Sequence, residues 1–424
     1  MLKKPMINRY LSTAGVVSSL VFSTPVFAQN EQKYWTLENS IEEVLRIAPE
    51  SKVAAANVQA NRGTLKQAGV WQNPTISIRA DNKIGLDDGS GGVNLSQFSI
   101  NQPVSLFGQK TYKRSVARAG LDVSIAQGEY QHLALEQQIA IRFHRLQLAD
   151  ANNRLAEERL SFADKLKQVG TKRAQAGDMA VLERTRLNLI RETAKQSSDK
   201  AEGEYNEALS QFRALLNLST AQYPELTPLS PIKNLPPLGV FVEKLPRHPL
   251  MLAANHRVKG ARASVELARS DRLPKLSLNL YRDQDLLGGR VRNSHGAGVS
   301  FTVPLWDRQQ GKLTKTRARV QQGRAEVSIL QRDLKASVEQ SYLHLNHLIE
   351  QAEHYQLRVY KPSLRVFEMT RKAYGAGEAD ILSLIDANNI YFDAQSRYLE
   401  LLQEAWLEIA ELRLAAGLSI FTIK

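Results

Sequence analysis

Val303-Pro304-Leu305-Trp306-Asp307-Arg308-Gln309-Gln310-Gly311-Lys312 opens the stretch, closing at Asp386, from which the plan of the chain is read. Beyond it, apolar residues recur at three- and four-residue steps: Val320, Val327, Leu330, Leu334, Val338, Tyr342, Leu345 and Ile349. That period is helical and close to a coiled-coil seam. The helix runs to Gly375-Ala376-Gly377-Glu378. At ~1.5 Å per residue it is roughly 100 Å long, more than a globular domain needs. Pro362 lies inside it and is expected to kink it, because Pro lacks the amide donor and crowds the preceding turn.

The stretch has an earlier copy. Gln102-Pro103-Val104-Ser105-Leu106-Phe107-Gly108-Gln109-Lys110 opens it, and Gln175-Ala176-Gly177-Asp178 ends its helix. Gly177 and Gly377 stand 200 residues apart, as do Pro49 and Pro249, Pro74 and Pro274, Asn188 and Asn388, and Arg213 and Arg413. A register held along the whole chain indicates internal duplication, here of two halves rather than a solenoid. The halves are residues 29–218 and 239–424. The link between them, 219–238, carries Pro224, Pro228, Pro231, Pro236 and Pro237 and is expected to be extended.

The 424 residues contain no Cys, which excludes disulfides, thiolate metal sites and a Cys nucleophile. Lys3, Lys4 and Arg9, the apolar run Leu11–Phe22 and the small-residue site Val26-Phe27-Ala28 read as a signal peptide over 1–28. Mean hydropathy is negative, and no later run is long and apolar enough for a membrane-spanning helix. The formal charge of +13 raises nucleic acid or an anionic surface as partners. Acidic and basic residues alternate in segments such as Arg154-Leu155-Ala156-Glu157-Glu158-Arg159, the mark of a solvated helix face, and nucleic acid is not expected.

Between the helices the period changes to two. Ile76, Ile78 and Ala80 alternate with Ser77, Arg79 and Asp81, and a second strand follows over Val93–Gln102 after the turn Gly85–Gly92. Val93 and Leu95 fall on one face and Phe98 and Ile100 on the other, so a bulge near Gln97 is expected. In the second half Leu276, Leu278 and Leu280 form one face, and a loop over about Asp283–Ser294 leads to Ala297, Val299, Phe301 and Val303. One apolar and one small or polar face suits a transmembrane barrel strand, and equally a soluble sandwich. Four strands cannot close a barrel, so spanning a membrane requires self-association. The return helix (about 40 residues) and the helix before the strands (about 24) together nearly match the long helix in height, predicting a layer of even thickness.

The succession of helix, two strands, long helix, Gly turn and return helix, given twice, resembles the outer membrane efflux protein (TolC-like) family over nearly the whole mature chain. The segments around Trp306-Asp307-Arg308 and Phe107-Gly108-Gln109 look most like its heavy-metal cation efflux (CzcC-like) branch. The resemblance implies a mainly α fold with a β-barrel part. It implies a homotrimer whose chains each give four strands to a twelve-stranded barrel in outer-membrane lipid and helices to a periplasmic tunnel. Implied partners are a periplasmic adaptor protein and an inner-membrane transporter of the resistance-nodulation-division class. The implied function is an exit duct, not an enzyme, with heavy-metal cations as cargo. Drug or protein export through the same duct, and a periplasmic coiled-coil adaptor without a barrel, remain the other readings.

The resemblance also assigns residues. Lys172, Arg173 and Gly177, and Lys372, Tyr374 and Gly377, fall at the helix turns where the family's adaptor docks. Ala174 departs from the family pattern by replacing the aromatic. Glu183 and Asp386 fall where the family lines its constriction with carboxylates, which as rings would favour cations. Ala379 stands where an Arg is usual; Arg186, at the repeat position of Asp386, is available to pair with a carboxylate instead. Two His at helical spacing, His344 and His347, with His354 beyond, lack the third ligand a firm metal site needs. Gly296-Ala297-Gly298 lacks the third Gly of a dinucleotide loop, so no cofactor is expected.

Overall fold

The computed structural model describes residues 35–81, 95–177, 179–217, 226–287 and 290–420. The expected signal peptide, the turn Gly85–Gly92, Val93, Asp178 and Pro224 lie outside those residues. The first half comprises α1 (Leu37–Ile47), α2 (Pro49–Ala68), β1 (Thr75–Asp81), β2 (Leu95–Val104), α3 (Gln109–Gln175) and α4 (Val181–Leu216). The second comprises α5 (Leu238–Val242), α6 (Pro249–Ser270), β3 (Lys275–Leu287), β4 (Arg290–Thr302), α7 (Gln310–Tyr355), α8 (Lys361–Ala376) and α9 (Ile381–Ala415). The protein is mainly helical with one small antiparallel sheet.

Helix α3 runs unbroken for 67 residues, about 100 Å at ~1.5 Å per residue. It packs against α2 and α6 near the sheet and against α4 and α9 farther away, while α7 packs against α6 and α9. Helices α9 and α6 therefore occupy one row between α3 and α7. His248 makes their joint: its Nδ1 accepts the Leu250 N–H (3.1 Å), capping α6, and its Nε2–H reaches the Leu414 carbonyl at the end of α9 (3.2 Å). The equivalent row of α4 and α2 meets at α1, where Ile41, Val44, Phe143, Leu146, Leu209 and Phe212 form a closed apolar cluster. Burying each such side chain contributes roughly 1.5–3 kcal/mol.

The link between the halves is pinned to these helices. Trp406 Nε1–H donates to the Ser230 carbonyl (2.7 Å), and Gln147 donates to the Thr227 carbonyl. Gln147 Oε1 in turn bonds His144 Nδ1 (2.8 Å), and the His144 ring stacks on Trp406. An extended Pro-rich segment has few internal backbone bonds, so its carbonyls find side chains of α3 and α9 instead.

The sheet has the order β1-β2-β3-β4, all antiparallel. Direct partners Ile76 and Ile100, Ile78 and Phe98, Ile100 and Leu280, and Leu278 and Val299 line up one apolar face. That face is uncovered: Ile78 is 78% exposed and Val299 63%. The opposite face carries Ser77, Ser99, Asn101, Ser277, Asn279, Gly298 and Ser300. Among the described residues β1 and β4 each pair on one side only.

Three expectations are corrected. The ladders through β2 are unbroken, so there is no bulge near Gln97; Phe98 and Ile100 simply set the apolar face, and Ser96 and Gln102 extend it. Residues 283–294 are mostly strand, because β3 and β4 continue as a paired hairpin past the end of the apolar band. The ladder needs only backbone groups, whereas the side-chain signal stops where the apolar surface stops. Helix α3 starts at Gln109 instead of Leu106, since Gly108 takes a left-handed turn (φ 74°). In the second copy that conformation falls on Gln309 (φ 54°), not Gly311, and Asp307 Oδ1 accepts the Gln309 N–H at 2.9 Å. At Pro362 the chain passes from α7 to α8 through one π-helical turn, Gln356–Tyr360, which absorbs the missing Pro amide by widening the helix.

Candidate channel tip and constriction

Both helix turns lie at the end of the molecule remote from the sheet, joined by one apolar cluster. Leu166 of α3, Leu187 of α4, Phe367 of α8 and Ile381, Leu384 and Ile385 of α9 are its buried members, with Met179 and Tyr374 packed on it. Each turn exits its helix through a left-handed Gly, Gly177 (φ 83°) and Gly377 (φ 80°). At the second turn the Gly377 N–H bonds the Tyr374 carbonyl (3.1 Å) and the Glu378 N–H the Ala373 carbonyl (2.9 Å), a paired closure that satisfies the last carbonyls of α8. Asp380 then starts α9: its Oδ1 accepts the Ser383 N–H at 2.6 Å, and this bond holds the carboxyl below its usual pKa. The sequence reading missed Asp380; its signal was an acidic residue three before Ser383 at a helix start. The first turn has no such cap, since Ala180 precedes α4.

Lys172, Arg173, Lys372 and both turn glycines are exposed. Tyr374 differs, being half-buried against the apolar cluster, so its ring braces the tip core as well as reaching the surface. The two basic ends are therefore brought together at one end of the molecule, with the aromatic beneath them.

Asp386 is exposed on α9 between the buried Ile385 and Ala387. Glu183 is half-exposed in the first turn of α4, and Arg186 is exposed one turn on. Among the described residues none of the three makes a salt bridge. The charges that do pair sit farther from the tip. Arg159 of α3 bonds Asn389 (2.7 Å) and Asp393 (3.4 Å) of α9, and Arg191 of α4 bonds Asp164 of α3 (3.1 Å). These bridges tie neighbouring helices of one chain and leave Asp386 and Glu183 free.

A ladder of rings that sequence reasoning also missed supports α8 and α9. Tyr398 stacks on Tyr360, Tyr360 on Tyr391, Tyr391 on Phe367, and Phe367 meets Phe162 edge-on. Burial pushes the Tyr391 hydroxyl up to about 12. The π turn brings Tyr360 into this stack, which spacing alone does not reveal. His344 bonds Glu408 of α9 at 2.8 Å, and among the described residues no group of three or more His, Cys, Asp or Glu side chains is placed to hold a metal.

Residues 241–418 match the family described as outer membrane efflux protein. The chain is 21% identical over 383 residues to the cobalt-zinc-cadmium resistance protein CzcC of Cupriavidus metallidurans, covering 90% of each. It is 24% identical to the pyoverdine export outer membrane protein OpmQ of Pseudomonas putida, over 72% of this chain and 62% of that one. The fold matches a solved structure of CusC with a TM-score of 0.73 and 19% identity, over 90% of this chain and 92% of that one.

Proposed function

We propose that this chain, an outer membrane efflux protein, is the outer-membrane exit duct of a tripartite pump that exports heavy-metal cations. The observation that carries the reading is the sheet. Among the described residues its apolar face is largely uncovered, its other face is mostly small or polar, and its two edge strands each pair on one side only. Exposed edges in lipid cost several kcal/mol for each unpaired backbone group, so β4 of one chain pairs with β1 of the next. A trimer of four-stranded sheets closes a twelve-stranded barrel, and the ~100 Å helices of residues 29–218 and 239–424 continue it as a periplasmic tunnel.

At the tip, Lys172, Arg173, Gly177, Lys372, Tyr374 and Gly377 form the docking rim for a periplasmic adaptor, which links the duct to an inner-membrane resistance-nodulation-division transporter. Glu183 and Asp386, without an ion pair among the described residues, form rings of carboxylates where three tips converge, with Arg186 beside them. Such rings raise the local cation concentration without binding tightly. Energy and selection belong to the transporter, so the duct needs no catalytic residue.

A strain lacking this chain tests the cargo. Sensitivity to Co, Zn, Cd, Ni or Cu salts, restored by the intact gene, is the expected result. Sensitivity to drugs and bile salts alone would leave the duct and remove the metal assignment. In planar bilayers, Glu183→Ala with Asp386→Ala should lower cation selectivity; unchanged current and selectivity would remove the constriction assignment.

A further inference from the structure

The positive charge of the chain is concentrated where the helices leave the sheet. From Lys110 to Asp122, α3 carries Lys110, Lys113, Arg114 and Arg118 against one carboxylate. From Lys312 to Arg324, α7 carries five Lys or Arg and no acid. Exposed aromatic rings mark the boundary above: Trp71 before β1 (54% exposed), Phe107 after β2 (42%) and Trp306 after β4 (87%). Rings at this level are characteristic of a membrane–water interface. Lys110 Nζ sits 4.8 Å from the centre of the Trp71 ring, directly joining the two layers.

Two grooves run down from that boundary. The first, about 520 Å³, has α3 as its floor and is lined by Lys110, Arg114, Arg118 and Lys259, with Asp122 at its lower end. The second, about 540 Å³, lies between α6 and α7 and is lined by Arg262, Arg317 and Arg324. Lys259 and Ala263 face the first groove, and Arg262 and Glu266 the second. At about 100° per residue these four positions fall within roughly 100° of one another around α6, so both grooves open on the same side of the helical layer.

We propose that these grooves form a collar that binds the phosphate headgroups of anionic phospholipid in the leaflet facing the helices. The inference rests on the membrane reading of the sheet. Depth fits it. Headgroups extend roughly 5–7 Å beyond each side of the hydrocarbon core. Lys110 lies in the first turn of α3 and Arg114 ~6 Å farther on, within reach of a long side chain turned back toward the surface, whereas Arg118, ~12 Å down, pairs with Asp122 (3.5 Å) and closes the lower end of the groove. Arginines present forked donors that match a phosphodiester, and acyl chains would rise along the uncovered apolar face. The sign of the charge favours this occupant over the cargo, because a cation leaving through the duct gains nothing from a lining of Lys and Arg.

The full-length protein, purified in detergent, is offered to phosphatidylethanolamine vesicles with and without phosphatidylglycerol. Phosphatidylglycerol should increase membrane partitioning, the gain should shrink with salt, and each removed cation should weaken it about fivefold. The variants are Lys110→Gln with Arg114→Gln, and separately Arg262→Gln with Arg317→Gln, so that one poorly folded variant leaves the other. Equal partitioning into both vesicle types, or variants that keep the full gain, would overturn the collar. Inorganic phosphate that competes at millimolar concentration would also overturn it, since the sites would then read the anion rather than the surface. Failure to insert into either vesicle would instead overturn the membrane reading of the sheet. Altered ion selectivity in bilayers with no change in partitioning would place the grooves inside the duct and refute the proposal.

Discussion

Replacing His248 with Ala removes the joint between α9 and α6, and its cost can be worked from the contacts. The ring is 1% exposed, caps α6 through Nδ1 and bonds the Leu414 carbonyl through Nε2. Loss of an N-cap costs ~1 kcal/mol. The half-buried Leu414 carbonyl keeps a second bond, from the Gly417 N–H (3.0 Å), so losing the imidazole N–H costs about 0.5–1.5 kcal/mol. The expected total is therefore ~1.5–2.5 kcal/mol, before the space left beside Gly417 is counted. His248→Asn keeps a cap acceptor but is too short to reach α9, and should lose about half as much. Urea denaturation in detergent, followed by far-ultraviolet circular dichroism, reads both. If Ala and Asn variants melt together, or if Ala lies within ~0.5 kcal/mol of the parent, a typical surface substitution, the joint does not hold the helix row together.

Three further outcomes are expected. Burial holds His144 down to about 4 from its ordinary 6.5, with the Gln147 bond opposing; the unfolded chain therefore takes the proton first, stability is intact above 6.5, and about 3 kcal/mol is lost as pH falls toward about 4. Denaturation across that window should show the loss in the parent and not in His144→Gln, and parallel curves would count against it. Gly377→Val should destabilise the tip by ~1–2 kcal/mol because of its left-handed backbone, whereas Gly375→Ala should be neutral or slightly stabilising; thermal melting that ranks them the other way contradicts the turn geometry. Ile78→Lys, on the uncovered sheet face, should cost about 2–4 kcal/mol of membrane insertion, and normal recovery in the outer-membrane fraction would show that this face does not meet lipid.

Much of the architecture was legible because it rests on periodicity. A 67-residue helix needs a long apolar stripe, and a duplicated chain announces itself by paired prolines and turn glycines at one spacing. The strand faces were equally readable where apolar residues alternate. They became unreadable beyond Leu280 and before Ala297, where most hairpin residues are polar and the apolar alternation lapses while the backbone ladder continues. The suspected bulge arose from reading Val93 and Leu95 as part of the apolar face, when the ladder from Ser96 to Val104 is regular. Of the candidate site, the two turn glycines were decided by local conformation and could be found from sequence. The partners of Arg159, Arg191 and His248 could not, since each bond joins helices distant in the chain.

The sequence by itself determined the element order and the helix-ending glycines, because each follows from residues close together along the chain. Only the tertiary structure decided which helices share a row, how the Pro-rich link is fastened, that Tyr374 is half-buried against the tip cluster, and that cations from α3, α6 and α7 gather beneath the sheet. Those depend on side-to-side packing of helices, where the partner of a residue is set by three-dimensional register rather than by its neighbours in sequence.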